Sequence, residues 1–372
     1  MWSVIVLGIE TSCDETAAAV VSGGRRVLSS VVSSQFDLHK AHGGVVPELA
    51  ARRHVTSIVP VVEQALRDAS VSHDDLDAIA VTQGPGLAGA LVVGMNVAKA
   101  MAYALGRPLV AVNHLEAHIY ANWLCDSPDL PDEPLFPILC LLVSGGHTEL
   151  ILMTGHGRFR HLGRTLDDAA GEAFDKGARL LGLGFPGGPA IQEAARNGNP
   201  QWADLPRAWL GDTYDFSFSG LKTALLRLTE PIRVPESAVA PAELPETSPS
   251  GPFRQHRPPA YAPDAPIADL AASYQTAVVE PLAVKTARAA AEFGARTVVL
   301  AGGVAANSLL RERLRREVLE RCGPEVPVAF PSHSFCTDNA AMVAGAAAWV
   351  IRAGDLVGLE ADVHPRLSLI PR

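Results

Sequence analysis

The chain has 372 residues, 48% of them hydrophobic but only 6% aromatic, so it can bury two cores built on Ala, Val, Leu and Gly rather than on rings. Its formal net charge of -9 argues against a protein that wraps nucleic acid by overall charge, which needs an excess of Lys and Arg; any such contact must use a local basic patch or a helper protein. Five scattered cysteines, Cys13, Cys125, Cys140, Cys322 and Cys336, lack C-x-x-C spacing and read as reduced thiols rather than a disulfide framework.

The N-terminus lacks a basic n-region and its apolar run is only strand-length, so no signal peptide is expected. No apolar stretch reaches the roughly 18 residues of a membrane span, and a cytoplasmic address follows. Residues 4–9, 16–21 and 27–33 read as three strands, close enough in sequence for antiparallel hairpins. A helix is predicted over 47–69, where Leu49, Ala50, His54, Ile58, Val61, Val62, Ala65 and Leu66 recur at helical spacing. Residues 76–82 form a buried-type strand, followed by a glycine-rich turn from Gln83 and a small-residue helix to Leu105. The pattern then restarts, with strands at 138–143 and 150–154 around a Ser144-Gly145-Gly146-His147 turn. A later strand, 297–301, ends at Gly302-Gly303 and precedes a helix carrying Asn307. The strand–turn–strand units at 4–21 and 138–154 look like a diverged duplication, one unit per lobe. Residues 231–266 are rich in Pro and poor in large apolar residues, and read as an exposed insertion or mobile loop.

Several segments carry chemistry. On a helix, His114 and His118 stand at i and i+4, with Cβ atoms about 5–6 Å apart on one face, where two imidazoles can share a metal ion. Glu116 falls on another face, so the pattern is not that of a zinc peptidase. Asp338, before an Ala/Gly-rich helix, could add a carboxylate ligand or serve as a helix N-cap; spacing alone does not separate the two, nor a metal pair from two ordinary helix histidines. The amides of Ser144 to Gly146 could face anionic oxygens. Asn307 could bond a ribose or a base edge, and Asp175 ribose hydroxyls, with the Gly188 backbone flooring the same pocket. Asp167 and Asp168 cluster where a helix begins, where Asp also caps. Arg311, Arg313, Arg315 and Arg316, and Arg52 with Arg53, make basic helical stretches.

These segments occur in a fixed order: G-I-E-T-S-C-D-E-T (8–16), G-G-V-V-P-E-L-A (43–50), G-P-G-L-A-G-A-L (84–91), N-H-L-E-A-H (113–118), L-V-S-G-G-H-T (142–148), D-D-A-A-G-E-A-F-D-K (167–176), F-P-G-G-P (185–189), D-F-S-F-S-G-L-K-T (215–223), A-G-G-V-A-A-N (301–307) and C-T-D-N (336–339). Together they resemble the bacterial form of the tRNA N6-adenosine threonylcarbamoyltransferase family, over nearly the whole chain except 231–266. The resemblance implies an α/β fold of two duplicated lobes of the sugar kinase/Hsp70/actin type with a central ligand cleft. It divides the chain into an N-terminal lobe (1–110, plus about 340–372) and a C-terminal lobe (111–339). It implies transfer of threonylcarbamoyl from threonylcarbamoyl-adenylate to N6 of the adenosine 3′ to the tRNA anticodon, releasing AMP. By motif, His114, His118 and Asp338 correspond to metal ligands for one divalent ion, Fe(II) first and Zn(II) second. Leu142, Val143, Ser144, Gly145, Gly146, Asp175, Gly188 and Asn307 correspond to adenylate-binding positions. Some relatives carry an Asp shortly after F-P-G-G-P, where this chain reads Ala190-Ile191-Gln192. The implied partners are tRNA, a paralogous protein of the same fold and a small ATPase, with no membrane. No general base is identified; Glu15 and Glu172 are the carboxylates to consider. An ATP-dependent phosphotransferase, a metallopeptidase and a nucleotide-switched scaffold are the competing readings.

Overall fold

The computed structural model describes residues 4–40, 45–124, 130, 134–234 and 259–370. Strand β2 (Glu15–Ser22) pairs antiparallel with both β1 (Ile5–Glu10) and β3 (Arg26–Ser34); helices α1 (Phe36–Lys40) and α2 (Pro47–Ala69) follow, then β4 (Ala78–Gly84), α3 (Ala88–Leu105) and β5 (Leu109–Asn113). They form one sheet in the order β3-β2-β1-β4-β5, with β4 parallel to β1 and to β5. After α4 (His114–Tyr120) come β6 (Ile138–Val143), β7 (Thr148–Gly155), β8 (Arg158–Arg164), α5 (Ala170–Leu180), α6 (Gly187–Ala194), α7 (Ser219–Thr229), α8 (Ile267–Glu292), β9 (Thr297–Ala301), α9 (Ser308–Cys322), β10 (Val328–Ala329) and α10 (Ala340–Ala353). The second sheet has the order β10-β9-β6-β7-β8. Read from β8, it repeats the first sheet strand for strand, so the duplication expected at 4–21 and 138–154 is the β1–β2 and β6–β7 hairpins.

Burial follows from the residue pattern. β6, Ile-Leu-Cys-Leu-Leu-Val, is buried at every position, as a central strand covered on both faces must be. β8 lies at a sheet edge and is rich in Arg, which discourages pairing with another chain. Three cores result. Leu7, Ile9 and Val20 of the first sheet pack with Ile58 and Leu66 of α2 and Met95 of α3. Leu139, Leu141 and Leu150 of the second sheet pack with α5, α8 and α9. Between the sheets, Val6, Ala17 and Val110 meet Ile138, Cys140 and Ile151 through Leu115 and Tyr120 of α4 and Ala341 to Ala344 of α10. Helices α4 and α10 thus form the middle layer, in contact with both sheets.

Some expectations need correction. Helix α3 has 18 residues and is long and apolar enough to cross a membrane by length and composition, so an apolar stretch of that length does exist. It lies on the first sheet with Ala90, Leu91, Gly94, Met95, Ala98 and Ala102 buried. Asn307 is not within α9 but is its N-cap. Asp167 and Asp168 do not cap α5, whose N-cap is Ala169 without a side-chain bond. Instead Asp167 accepts from Phe218 N and Ser219 N, 51 and 52 residues away, and so caps α7. Strand β4 spans 78–84 rather than 76–82. The Pro-rich insertion falls partly outside the described residues, at 235–258; its flanks pair through Val234 N and Ala260 O at 2.9 Å. Cys13, Cys140, Cys322 and Cys336 are free, and Cys125 lies outside the described residues.

Beyond α10 the chain returns along the first sheet. His364 N donates to Gln83 O, Gly86 N to Pro365 O and Asn113 Nδ2 to Ser368 O. This tail therefore braces both the glycine-rich turn before α3 and the residue that opens α4.

Lys285 of α8 is 1% exposed; its ammonium donates to Asp215 O and lies 5.5 Å from the Phe216 ring centroid. Burial pushes it from 10.5 down to about 8, with Arg288 adding to the drop and Asp215 opposing it. The folded state then gives up this proton from about pH 8, while the unfolded chain holds it to about pH 10.5, so this group makes stability rise with pH across that window. Urea unfolding of wild type and Lys285→Met over that range should diverge by up to about 1.4 kcal/mol per pH unit, the wild type gaining. Parallel curves would remove Lys285 as the cause.

Candidate metal centre and adjoining cleft

Helix α4 starts directly at the end of β5. Asn113 sets that junction, because its Oδ1 accepts from Leu115 N at 2.9 Å and so caps the helix. His114 and His118 then project one turn apart, with ring centroids 4.7 Å apart and planes at 83°. Asp338 reaches the same point from the residue before the N-cap of α10. The cap is Asn339, whose side chain accepts from Met342 N, so Asp338 is free of capping. His118 Nε2 lies 3.1 Å and His114 Nε2 3.5 Å from Asp338 Oδ1. All three ligand atoms fall within 4.8 Å of one another. Two ligands each about 2.1 Å from a tetrahedral ion stand about 3.4 Å apart, so the donor set fits one divalent ion.

Glu10, at the end of β1 and 0% exposed, is the residue that sequence reasoning missed. Its Oε2 meets His114 Nδ1 at 3.0 Å and accepts from Thr82 Oγ1 at 2.6 Å. An ionised carboxylate only accepts, so His114 Nδ1 carries the proton and Nε2 faces Asp338. Either the ring carries both protons, or a cation lies between Nε2 and Oδ1. The electrostatics favour positive charge at this point. Burial pushes His114 down, but Asp338 and Glu10 raise it more, to about 9. Burial raises Asp338, and His114 and His118 outweigh it, to about 2. Glu10 resists burial through His114 and stays below the usual carboxylate range. A carboxylate holding a ligating imidazole in one tautomer is the usual support of such a centre. His118 Nδ1 has no such partner among the described residues.

The turn after β1 is held from elsewhere. Buried His54 of α2 donates from Nε2 to Cys13 O at 2.9 Å and accepts from Thr16 Oγ1 at 2.8 Å. Leu87 N donates to Ser12 O at 2.8 Å. In this turn, burial, then Asp14 and Asp338, push Glu15 up to about 8. Glu172 instead pairs with Lys176 at 2.9 Å and is 46% exposed.

The matching turn follows β6; burial, with the charges of His114 and His118 adding, lowers the pKa of its His147, while Glu149 and Asp338 oppose the drop. Leu142 and Val143 are 0% exposed in the sheet and set the turn's position rather than offering side chains. Ser144 N already donates to His147 O at 2.8 Å, which removes it from the amides expected to face an anion and leaves those of Gly145 and Gly146. A Cβ on Gly145, Gly146 or Gly188 would meet nothing within 4 Å, so these glycines border open space. Gly302 is different: φ is +87° and a Cβ would strike Val143 O, so only glycine lets the two strand ends close. Asp175 accepts from Gly187 N at 2.7 Å, tying α5 to the start of α6, and burial raises its carboxyl. Asn307 is 7% exposed and largely committed: Oδ1 caps Leu310 N and Nδ2 donates to Gln275 Oε1 at 2.9 Å. Gln192 accepts from Ser308 N at 2.8 Å.

Comparison with known proteins comes from sequence and from fold. The family model of tRNA N6-adenosine threonylcarbamoyltransferase matches residues 26–345. A protein of that name from Thermomicrobium roseum is 62% identical over 99% of this chain and 98% of its own. One from Symbiobacterium thermophilum is 51% identical over 98% of this chain and 97% of its own. Full-length HypF, in a phosphate- and nucleotide-bound form, is 12% identical and superposes at a TM-score of 0.54 over 94% of this chain and 46% of its own. With the repeated sheet order, that likeness places the fold among the two-lobed sugar kinase and actin-like proteins.

For an ion held by His114, His118 and Asp338, Glu10→Gln should weaken affinity by about 10- to 100-fold while the fold persists. Competition titration with a chromogenic zinc chelator measures this. Wild-type affinity in the variant would take Glu10 out of the centre.

Proposed function

The chain belongs to the tRNA N6-adenosine threonylcarbamoyltransferase family, and on that premise we propose that it moves threonylcarbamoyl from threonylcarbamoyl-adenylate to N6 of the adenosine 3′ to a tRNA anticodon, releasing AMP. The observation that carries this reading is the convergence of His114, His118 and Asp338 beside the Ser144–His147 turn. These three residues hold one divalent ion, Fe(II) in preference to Zn(II). Such an ion supplies Lewis-acid polarisation of a carbonyl or phosphoryl oxygen.

The chain's own groups do the rest. The amides of Gly145 and Gly146 donate to an anionic oxygen of the adenylate. Asp175, the Gly188 backbone and Asn307 line the nucleoside side, reached through backbone closeness that the glycines allow. Leu142 and Val143 hold that side against the centre. The N6 amine attacks the carbamoyl carbon; the bond from that carbon to the phosphate oxygen breaks and AMP leaves with the electron pair. Of the two candidate carboxylates, Glu15 is preferred to take the amine proton, because Glu172 is ion-paired to Lys176 and solvated. An anticodon-loop base is unpaired, so its presentation need not cost a base pair. With a net charge of -9, the chain needs help to hold tRNA phosphates, which fits a paralogous partner of the same fold and a small ATPase. A tRNA substrate and free thiols fit a cytoplasmic enzyme.

The test combines the metal-loaded protein, its two partner proteins, threonylcarbamoyl-adenylate and an unmodified tRNA with A after the anticodon, read by mass spectrometry of the digested nucleosides. Wild type should yield threonylcarbamoyl-adenosine, and the His114→Ala/His118→Ala variant should yield none above background. A wild-type blank with active partners would overturn the reading.

A further inference from the structure

The two helices flanking the trio also meet through Tyr120 and Trp349. α4 begins at His114 and closes at Tyr120. α10 begins two residues after Asp338 and carries Trp349 in its last turns. Their rings stack, with centroids 6.0 Å apart and planes at 21°. A third ring joins them from the second sheet: His156, in the turn between β7 and β8. It stacks on Trp349 at 4.0 Å and 15°, and its Nδ1 shares a 2.6 Å hydrogen bond with the Tyr120 hydroxyl. Phe136 packs edge-on against His156 at 5.0 Å.

Tyr120 is 1% exposed, so its hydroxyl needs a partner, and His156 provides it. The same imidazole therefore fixes Tyr120 through a hydrogen bond and Trp349 through its face. The two contacts are on different helices, and together they set the separation of α4 and α10 next to the trio, since Tyr120 follows His118 by two residues. The 3.1 Å between His118 Nε2 and Asp338 Oδ1 depends on that same separation. Interiors are close-packed and pass displacement along rigid helices rather than absorbing it.

We propose that His156 is a positioning residue for the metal centre: it pins α4 to α10 and thereby holds His114 and His118 at ligand distance from Asp338. This rests on the reading of that trio as a metal site. Removing the imidazole leaves Tyr120 OH unpartnered and a gap beside Trp349, so α4 can tilt against α10. The trio then binds an ion more weakly and in a less regular geometry, although no ligand has changed.

Co(II) serves as the probe, because its visible bands report coordination geometry independently of activity. The full-length protein is titrated as wild type, His156→Ala, His156→Phe and His118→Ala, with circular dichroism as a check of folding. His118→Ala should abolish the bands. His156→Ala should lower Co(II) affinity about tenfold, the lower end of what loss of a supporting contact costs, and shift or broaden the bands. His156→Phe keeps the stack but not the hydrogen bond, and should fall between Ala and wild type. Wild-type affinity and spectrum in folded His156→Ala would overturn the proposal; if that variant fails to fold, wild-type behaviour in His156→Phe would do so. Bands that are absent from wild type, or that survive His118→Ala, would instead bring down the metal reading itself.

Discussion

One carboxylate oxygen of Asp338 lies against two imidazoles at once, 3.1 and 3.5 Å away, and that crowding organises the middle of the molecule. It brings together a helix that leaves the first sheet and a helix near the C-terminus, and it can do so because both are pressed between two sheets of the same topology. Buried like this, a negative oxygen and two basic rings demand either shared protons or a shared cation. Glu10 makes the demand stronger, since it ties up the outer nitrogen of His114 and leaves the inner one facing Asp338.

The repeated sheets explain why the cleft has two unlike walls. Each sheet ends its central hairpin in a polar turn at the same place. In the first, the turn is pinned by His54 and by Leu87 N and holds the carboxylates Glu10 and Glu15. In the second, the turn is short and glycine-rich, with Gly145 and Gly146 opening on free space. One copy thus carries buried carboxylates beside the His114, His118 and Asp338 cluster, and the other a short turn whose glycines border open space. A duplicated scaffold makes this division cheap, because the strands are the same and only the turns differ.

Much of this was readable from the chain. The helical spacing of His114 and His118, the strand that ends in Ser144-Gly145-Gly146, and the buried stripe of α2 depend on neighbours within a few residues, and local periodicity reports them. What escaped depends on contacts far apart in sequence. Glu10 gains its role from a histidine 104 residues away. Asp167 looks like a cap for α5 but caps α7, since a carboxylate satisfies whichever free amides the fold presents. Asp338 could have been a helix cap, but Asn339 takes that position and leaves Asp338 beside the histidines. Asn307 reads as a ligand contact, yet most of its bonding capacity goes to α9 and Gln275. The apolar character of α3 was underestimated because Ala and Gly, taken singly, look neutral.

The return of the C-terminal tail has a consequence for how the protein comes to be. Asn113 opens the helix of the two histidines, and the same side chain is held by Ser368 O, while the turn before α3 leans on His364 and Pro365. Asp338 also comes from the last tenth of the chain. Translation therefore makes Glu10 and the histidines well before Asp338, His364 and Ser368, the groups that meet this region from the other side. The cluster of His114, His118 and Asp338 can therefore assemble only after residue 338 has been made, although Glu10 is available to His114 from the start.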